Sequence, residues 1–414
     1  MANFLRTNFL VLFLLNSGNL FNYLFQLVIA RQLTPTDFGT FNAINSIAII
    51  LLAPSAVLPV VFSRYTVTLL QTSMGQVRDI LVRGMKFFTW ITLGLLVLCL
   101  LGLPGIKSYL HLTSTLPLVL MLIQFSLSLV RPILFGVIQG LQRFTLYGLG
   151  SSSIPLVRFL SGLVFVIVLE WGVNGAVFSG VVGAIVAMVI GFWGIRDVLN
   201  KPNEPIPPGL TKEMGRYGLP ALGTACMVMV LGNLDIVFVR HYCTPEEAGF
   251  YATAAILGRI AMFLPGVLTH VLFPVAAQAH EEGEKGSSVL WTSLGLTTLL
   301  GGGFALLCAL WPEMIISFLF GSKYIDAAPM LVIISIAMAL LAIANVVFTF
   351  SLARSEFGYL WPLAGGVLLM FILIFLFHDS ARTIAMNVLW SVLTILVGTM
   401  GWYLSKNFRP QTAP

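Results

Sequence analysis

Charged side chains are scarce in this chain. They make up 9% of its 414 residues, where an ordinary soluble domain has about 25%. Acids are the rarer sign, 16 against 22 bases. Cysteines number four (Cys99, Cys226, Cys243, Cys308) and form no CxxC pair, so they read as small apolar fillers rather than as a disulfide or metal set. No HExxH, GxSxG, P-loop or paired-carboxylate arrangement is present, which leaves ATP hydrolysis and covalent catalysis without support. The histidines (111, 241, 270, 280, 378) fall near span ends or in loops. The paucity of charge excludes a soluble enzyme, a disordered chain and a nucleic-acid binder. The net charge of +6 therefore concerns membrane topology rather than a nucleic-acid surface.

What the chain has instead is apolar sequence. Apolar residues make up 58% of it, and its mean hydropathy is +0.97. A membrane span needs about 20 residues. Twelve apolar segments can be marked, at 8–30, 40–62, 87–104, 115–140, 148–170, 173–195, 217–240, 248–275, 287–311, 326–350, 357–377 and 382–404. The connections are too short for a folded soluble domain. The first segment is too long for a signal-peptide core and lacks a cleavage site, so it reads as the first span. The expected fold is an all-α polytopic membrane protein. Stretch 63–86, which mixes apolar and basic positions, reads as an interfacial helix on the inner face.

Placing the N-terminus inside puts 14 basic residues on the inner side and 5 on the outer. That asymmetry predicts that both termini face the cytoplasm. Seven of eight tryptophans fall near span ends, the interfacial position. Segment 196–216 contains Pro202, Pro205, Pro207 and Pro208, which forbid one continuous helix. The expected organisation is a six-helix lobe over 1–200, a cytoplasmic linker over 201–216 and a second six-helix lobe over 217–414.

The halves repeat. Thr34-Pro35-Thr36-Asp37-Phe38-Gly39-Thr40-Phe41 matches Thr244-Pro245-Glu246-Glu247-Ala248-Gly249-Phe250-Tyr251 at an offset of 210. At an offset of 211, Asn22 matches Asn233, Pro54 matches Pro265 and Phe62 matches Phe273. Six spans per half make this a parallel repeat, whose binding sites usually lie between the halves. Pro54, Pro59, Pro132, Pro155, Pro220, Pro265, Pro274 and Pro329 lie in or near span interiors and predict kinks. The Gly136-Val-Ile-Gln-Gly140 motif marks either close helix packing or a gating element.

Charges at depth carry the functional signal. An ionised side chain at a helix centre costs about 2.5–3.5 kcal/mol, so it faces a cavity or a partner. Arg131, Arg158 and Arg259 qualify, with one acid, Asp235. One acid cannot neutralise three arginines, and a bound anion can. The guanidinium fork matches phosphate oxygens. Asp235 suits Na⁺ or H⁺ coupling, with Asn233 two residues before it and the matching Asn22 in the first span as further candidates, or a salt bridge to an arginine. Asn16 and Asn19 lie earlier in the first span. Gln139, Gln142, Gln124 and Asn345 add polar groups suited to sugar hydroxyls or to a neighbouring helix. No cofactor is called for beyond a coupling ion.

Three strings bear a resemblance: Asn22 to Arg31 with LTPTDFGTFNA (33–43), RPILFGVIQGLQRF (131–144) with Arg158, and NLDIVFVRHYCTPEEAGFYATA (233–254). They resemble the polysaccharide repeat-unit flippases of the multidrug/oligosaccharidyl-lipid/polysaccharide (MOP) exporter superfamily. The resemblance implies a V-shaped bundle of two six-helix lobes working by alternating access in a bacterial cytoplasmic membrane. It implies a polyprenyl-pyrophosphate-linked oligosaccharide as substrate, and Arg131 and Arg158 at positions that fit the pyrophosphate. The reading is of a monomer among membrane lipids, with glycan polymerase machinery as a partner and no nucleic acid. The lipid II branch has two further spans that this chain lacks. The alternative is an ion-coupled multidrug or organic-cation antiporter of the same fold. That branch usually carries an acid in the first span, where this chain has asparagines. A membrane glycan polymerase or ligase would need a larger outer loop.

Overall fold

Backbone polar groups inside a bilayer must be satisfied within the protein, which restricts a chain this apolar to helices or a closed barrel. The choice here is helices. The computed structural model describes residues 2–265 and 287–408, and no strand occurs among them. His270, Phe273, Pro274, His280, Lys285 and Arg409 lie outside the described residues, as do the side chains of Arg6 and Asn16. Among the described residues, ten helices are long and apolar enough to cross a membrane. Ala2–Gln32 and the shorter Leu360–Leu376 accompany them. The chain is an all-α polytopic membrane protein. Its contacts divide it into two compact units, Met1–Ala225 and Cys226–Pro414.

The first unit holds α1 (Ala2–Gln32), α2 (Pro35–Leu70), α3 (Met74–Tyr109), α4 (Leu116–Gly140), α5 (Phe144–Val168) and α6 (Gly172–Leu199). It also holds the start of α7 (Leu210–Tyr242). Thr34 ends α1 and starts α2. Its Oγ1 accepts from the Asp37 amide at 3.1 Å and donates to Asp37 Oδ2 at 2.9 Å. Helix α2 breaks after Leu51 and restarts at Pro54, whose missing N–H is no loss in a first turn, and its second segment then runs through Pro59. Helix α4 breaks at Leu129 and Val130 and restarts at Arg131-Pro132. The last turns of α5, Leu163–Val168, widen into a π-helix.

The Gly136/Gly140 motif serves packing. A Cβ on Gly136 would lie 2.9 Å from the Pro59 carbonyl oxygen, and one on Gly140 2.8 Å from that of Ser63. Only glycine lets α4 approach α2 this closely.

Stretch 63–86 is not a separate interfacial helix. Helix α2 continues to Leu70, and α3 starts at Met74 under a Ser73 cap and runs unbroken to Tyr109. No glycine-proline signal interrupts it at the membrane edge, and Val77, Ile80 and Leu81 pack into the core of the unit. Arg83 and Lys86 of this stretch are exposed. The rest of α3 presents large apolar side chains on its surface, with Trp90 75% and Leu101 77% exposed.

The proline-rich segment is non-helical only up to Leu210. It runs as a strap along the start of α3. The Ile206 amide donates to Asp79 Oδ2 at 3.1 Å, the Glu204 amide to the Gly75 carbonyl at 3.4 Å, and Arg78 Nε to the Leu199 carbonyl at 3.0 Å. Tyr65 donates to Glu213 at 3.2 Å. These bonds tie the strap to the first unit, which by contacts extends to Ala225.

The second unit contains the rest of α7, then α8 (Pro245–Pro265), α9 (Ser288–Leu310), a short helix Pro312–Leu319, α10 (Ser322–Ala353), α11 (Leu360–Leu376) and α12 (Ala381–Phe408). Thr244 caps α8 with a full capping box. The Glu247 amide donates to Thr244 Oγ1 at 3.2 Å, and the Thr244 amide donates to Glu247 Oε2 at 3.0 Å. Both copies of the repeated motif thus cap their helix with the threonine hydroxyl, and the second adds the return bond of a capping box.

Candidate functional site

In the first unit, Arg158 of α5 sits within reach of α1 and α2. Its Cζ lies 4.4 Å from the Phe25 ring centroid and 5.6 Å from that of Phe41. Its Nη2 donates to Asn45 Oδ1 at 3.1 Å. Its Nε is buried without a hydrogen-bond partner. Phe25 and Phe41 are themselves buried and meet edge-on at 5.9 Å. The π faces favour the cation by about 2 kcal/mol when water is excluded, but they do not cancel its charge. Of its five N–H donors, one is given to Asn45.

Arg131 begins the second segment of α4. Its Cζ lies 6.0 Å from the Phe135 ring, and its Nε is buried and without a partner. The start of a helix repels a cation and attracts an anion, so the backbone adds to the local positive potential. Phe135 in turn meets Tyr147 of α5 at 6.3 Å. Tyr147 and Arg158 are eleven residues apart, three helical turns, and share one stripe of α5 about 16 Å long. Among the described residues, no carboxylate forms an ion pair with Arg131 or Arg158.

The polar side chains of α4 do not all join them. Gln139 is half-buried in the last turn of α4. Gln142 is a correction to the depth expected from sequence. It is exposed in the α4–α5 turn with φ +57°, where it ends the helix rather than lining a deep cavity. Gln124 lies against Gly180 of α6 and serves helix packing. Asn22 and Asn19 are exposed on α1.

Arg143, just outside the spans, pairs with Asp197 and donates to the Gly194 carbonyl at 2.6 Å. The Asp197 hydrogen bond raises the Arg143 pKa.

In the second unit, Asp235 is 1% exposed. Tyr251 donates to its Oδ2 at 2.9 Å, and the Ile236 amide to its Oδ1 at 2.9 Å. Arg259 Nη2 reaches Oδ1 at 3.5 Å. The Arg259 side chain is 13% exposed, and its Nε is buried without a partner. Arg259 stands where α8 is interrupted after Gly258. Of the two roles open to Asp235, the geometry contains the salt bridge. Asn233 is buried and donates to the Met229 carbonyl of its own helix at 2.9 Å. Asn345 is half-buried on α10.

Phe25, Phe41, Asn45 and Tyr251 are site residues that the search for buried charge passed over. A signal for two of them was present. Phe41 and Tyr251 are the matching aromatic ends of the repeated motif, and each is sixteen residues beyond its partner, Phe25 or Asp235.

Three comparisons bear on what this arrangement serves. The family profile described as "Polysaccharide biosynthesis protein" matches residues 117–329, just over half of the chain. The uncharacterized membrane protein MJ1068 of Methanocaldococcus jannaschii is 25% identical over 214 residues, which are 48% of this chain and 41% of that protein. The match thus spans less than half of that relative's length. Among solved structures, an inward-facing multidrug resistance MATE family transporter of the MOP superfamily superposes with a TM-score of 0.80 at 11% identity, over 96% of each chain. The lipid II flippase MurJ in an inward closed conformation gives 0.72 at 13% identity, over 95% of this chain and 87% of that one. At such identities the likeness is one of fold.

Proposed function

The chain belongs to the polysaccharide biosynthesis protein family, and on that premise we propose that it is a MOP-superfamily flippase for a polyprenyl-pyrophosphate-linked oligosaccharide. The observation that carries this reading is the pair Arg131 and Arg158, held within the spans of the first unit without a carboxylate partner among the described residues. A bilayer-buried cation is costly, and a pyrophosphate supplies the missing negative charge with oxygens that fit the guanidinium fork. The aromatic faces at Phe25 and Phe41 hold the Arg158 cation in place while the substrate is absent.

In this reading Arg131 and Arg158 bind the pyrophosphate, and Gln139 of the same unit serves the sugars. The family and the lack of reactive motifs favour a non-catalytic transporter. Asp235 is the group at which Na⁺ or H⁺ coupling would act, by exchanging its arginine for a cation. The basic asymmetry of the loops supports cytoplasmic termini in a bacterial inner membrane. The cation-antiporter alternative needs a free buried acid, and Asp235 already meets Arg259.

The test is a lipid extraction from cells lacking the protein. Polyprenyl-pyrophosphate-linked oligosaccharide accumulates in the inner leaflet and the surface polymer is lost, and both effects reverse when the gene is restored. Intact surface glycan without accumulation overturns the reading.

A further inference from the structure

The two units treat their deep arginines oppositely. In the first, the residue pair sixteen apart is Phe25 and Phe41, and the arginine resting on it keeps its charge. In the second, the pair sixteen apart is Asp235 and Tyr251, and the arginine reaching it meets a carboxylate. That meeting is loose. The nearest N–O distance is 3.5 Å, well beyond the 2.7–2.9 Å of a charge-assisted bond. Arg259 also keeps an unpartnered buried Nε. Meanwhile Asp235 is held firmly by other donors, the Tyr251 hydroxyl and the Ile236 amide, each at 2.9 Å. Most of the carboxylate's bonding therefore does not depend on Arg259.

We propose that Arg259 is a second anion site of the pyrophosphate or phosphate class, kept closed by the negative charge of Asp235. With the carboxylate ionised, the pair is neutral and an incoming anion meets Asp235 as a like charge. With the carboxylate neutralised, Arg259 is left as a buried cation in need of a partner. By linkage, a cation that binds Asp235 raises the anion affinity of Arg259, and an anion at Arg259 raises the cation affinity of Asp235 by the same factor. The site rests on the flippase reading for its physiological ligand, although its chemistry is a property of the second unit alone.

The test measures equilibrium binding of inorganic pyrophosphate and of farnesyl pyrophosphate to the purified full-length protein in nanodiscs. Wild-type protein binds one equivalent, which Arg158→Gln removes. Asp235→Asn binds a second equivalent, and Asp235→Asn combined with Arg259→Gln does not. Farnesyl pyrophosphate binding without inorganic pyrophosphate binding marks a site for lipid headgroups. Binding of both marks a general phosphate site. If Asp235→Asn does not accumulate, Asp235→Ser removes the same charge in a smaller volume and gives the same extra equivalent. A single equivalent in the neutralised variants, or a second that survives Arg259→Gln, overturns the proposal. Loss of the first equivalent from wild type counts instead against the flippase reading, so the two failures are distinguishable.

Discussion

Phe41 packs edge-on against Phe25 at 5.9 Å, and the same sixteen-residue interval in the second unit joins the Tyr251 hydroxyl to Asp235 at 2.9 Å. A duplicated scaffold has been filled with apolar rings on one side and an acid–phenol pair on the other. The arginine above each pair inherits a different electrostatic environment, and the predictions follow from that difference.

Arg131→Ala and Arg158→Ala each remove a cation proposed to meet the pyrophosphate. A hydrogen bond to a charged group is worth about 1.5–3 kcal/mol, which corresponds to roughly a ten- to hundredfold loss of export. Lysine at either position restores part of it, because a point charge lacks the fork. Export of lipid-linked glycan, measured at matched protein abundance, checks this. Normal export in both alanine variants would dispose of the anion-site argument.

Arg259→Ala leaves Asp235 buried without its cation. Breaking a buried pair in this way costs about 3–5 kcal/mol. Combining it with Asp235→Ala returns much of that stability, since no uncompensated charge remains. Thermal unfolding of the purified variants gives the comparison, and additive losses in the double variant contradict the coupling.

Asp235→Asn tests ion coupling separately from stability. If Asp235 carries the coupling, transport by this variant no longer responds to an imposed Na⁺ or H⁺ gradient while wild-type transport does. An unchanged gradient dependence removes Asp235 from the driving mechanism.

Gly140→Val places a branched side chain where a Cβ already lies 2.8 Å from the Ser63 carbonyl oxygen. The α2–α4 contact cannot close, and overpacking of this kind costs about 1–3 kcal/mol. Gly105→Val, on the lipid-facing part of α3 with nothing within 4 Å of an added Cβ, is the control. Equal membrane abundance and melting temperature for both variants would show that the motif is not a packing element.

Much of this was legible in the residues. The spans could be read because about 20 apolar residues in sequence have few alternatives to a membrane helix. The repeated turn was legible because Thr34 and Thr244 are cap residues followed by an acid three positions later, a local signal that needs no tertiary context. The exceptions have tertiary causes. The start of α3 resembled a surface helix because its basic face is obvious, while the packing of Val77, Ile80 and Leu81 depends on neighbours distant in sequence. Counting buried charges identified Arg158 but not its setting, since Phe25, Phe41 and Asn45 look like ordinary span residues until three helices meet. Gln142 reads as a polar span residue in the sequence, and only the backbone at φ +57° reveals a turn.

The strap from Glu204 to Ile206 has a consequence for how this chain can be divided. Asp79 receives the Ile206 amide and Tyr65 donates to Glu213, so the first half of the molecule completes its own hydrogen bonding only after the proline-rich segment has been made. Two separately encoded halves joined before Lys201 would leave Asp79 short of a donor. Joined beyond Glu213, the first half keeps both bonds. A split-gene version made in the laboratory keeps these bonds only if the strap travels with the first half.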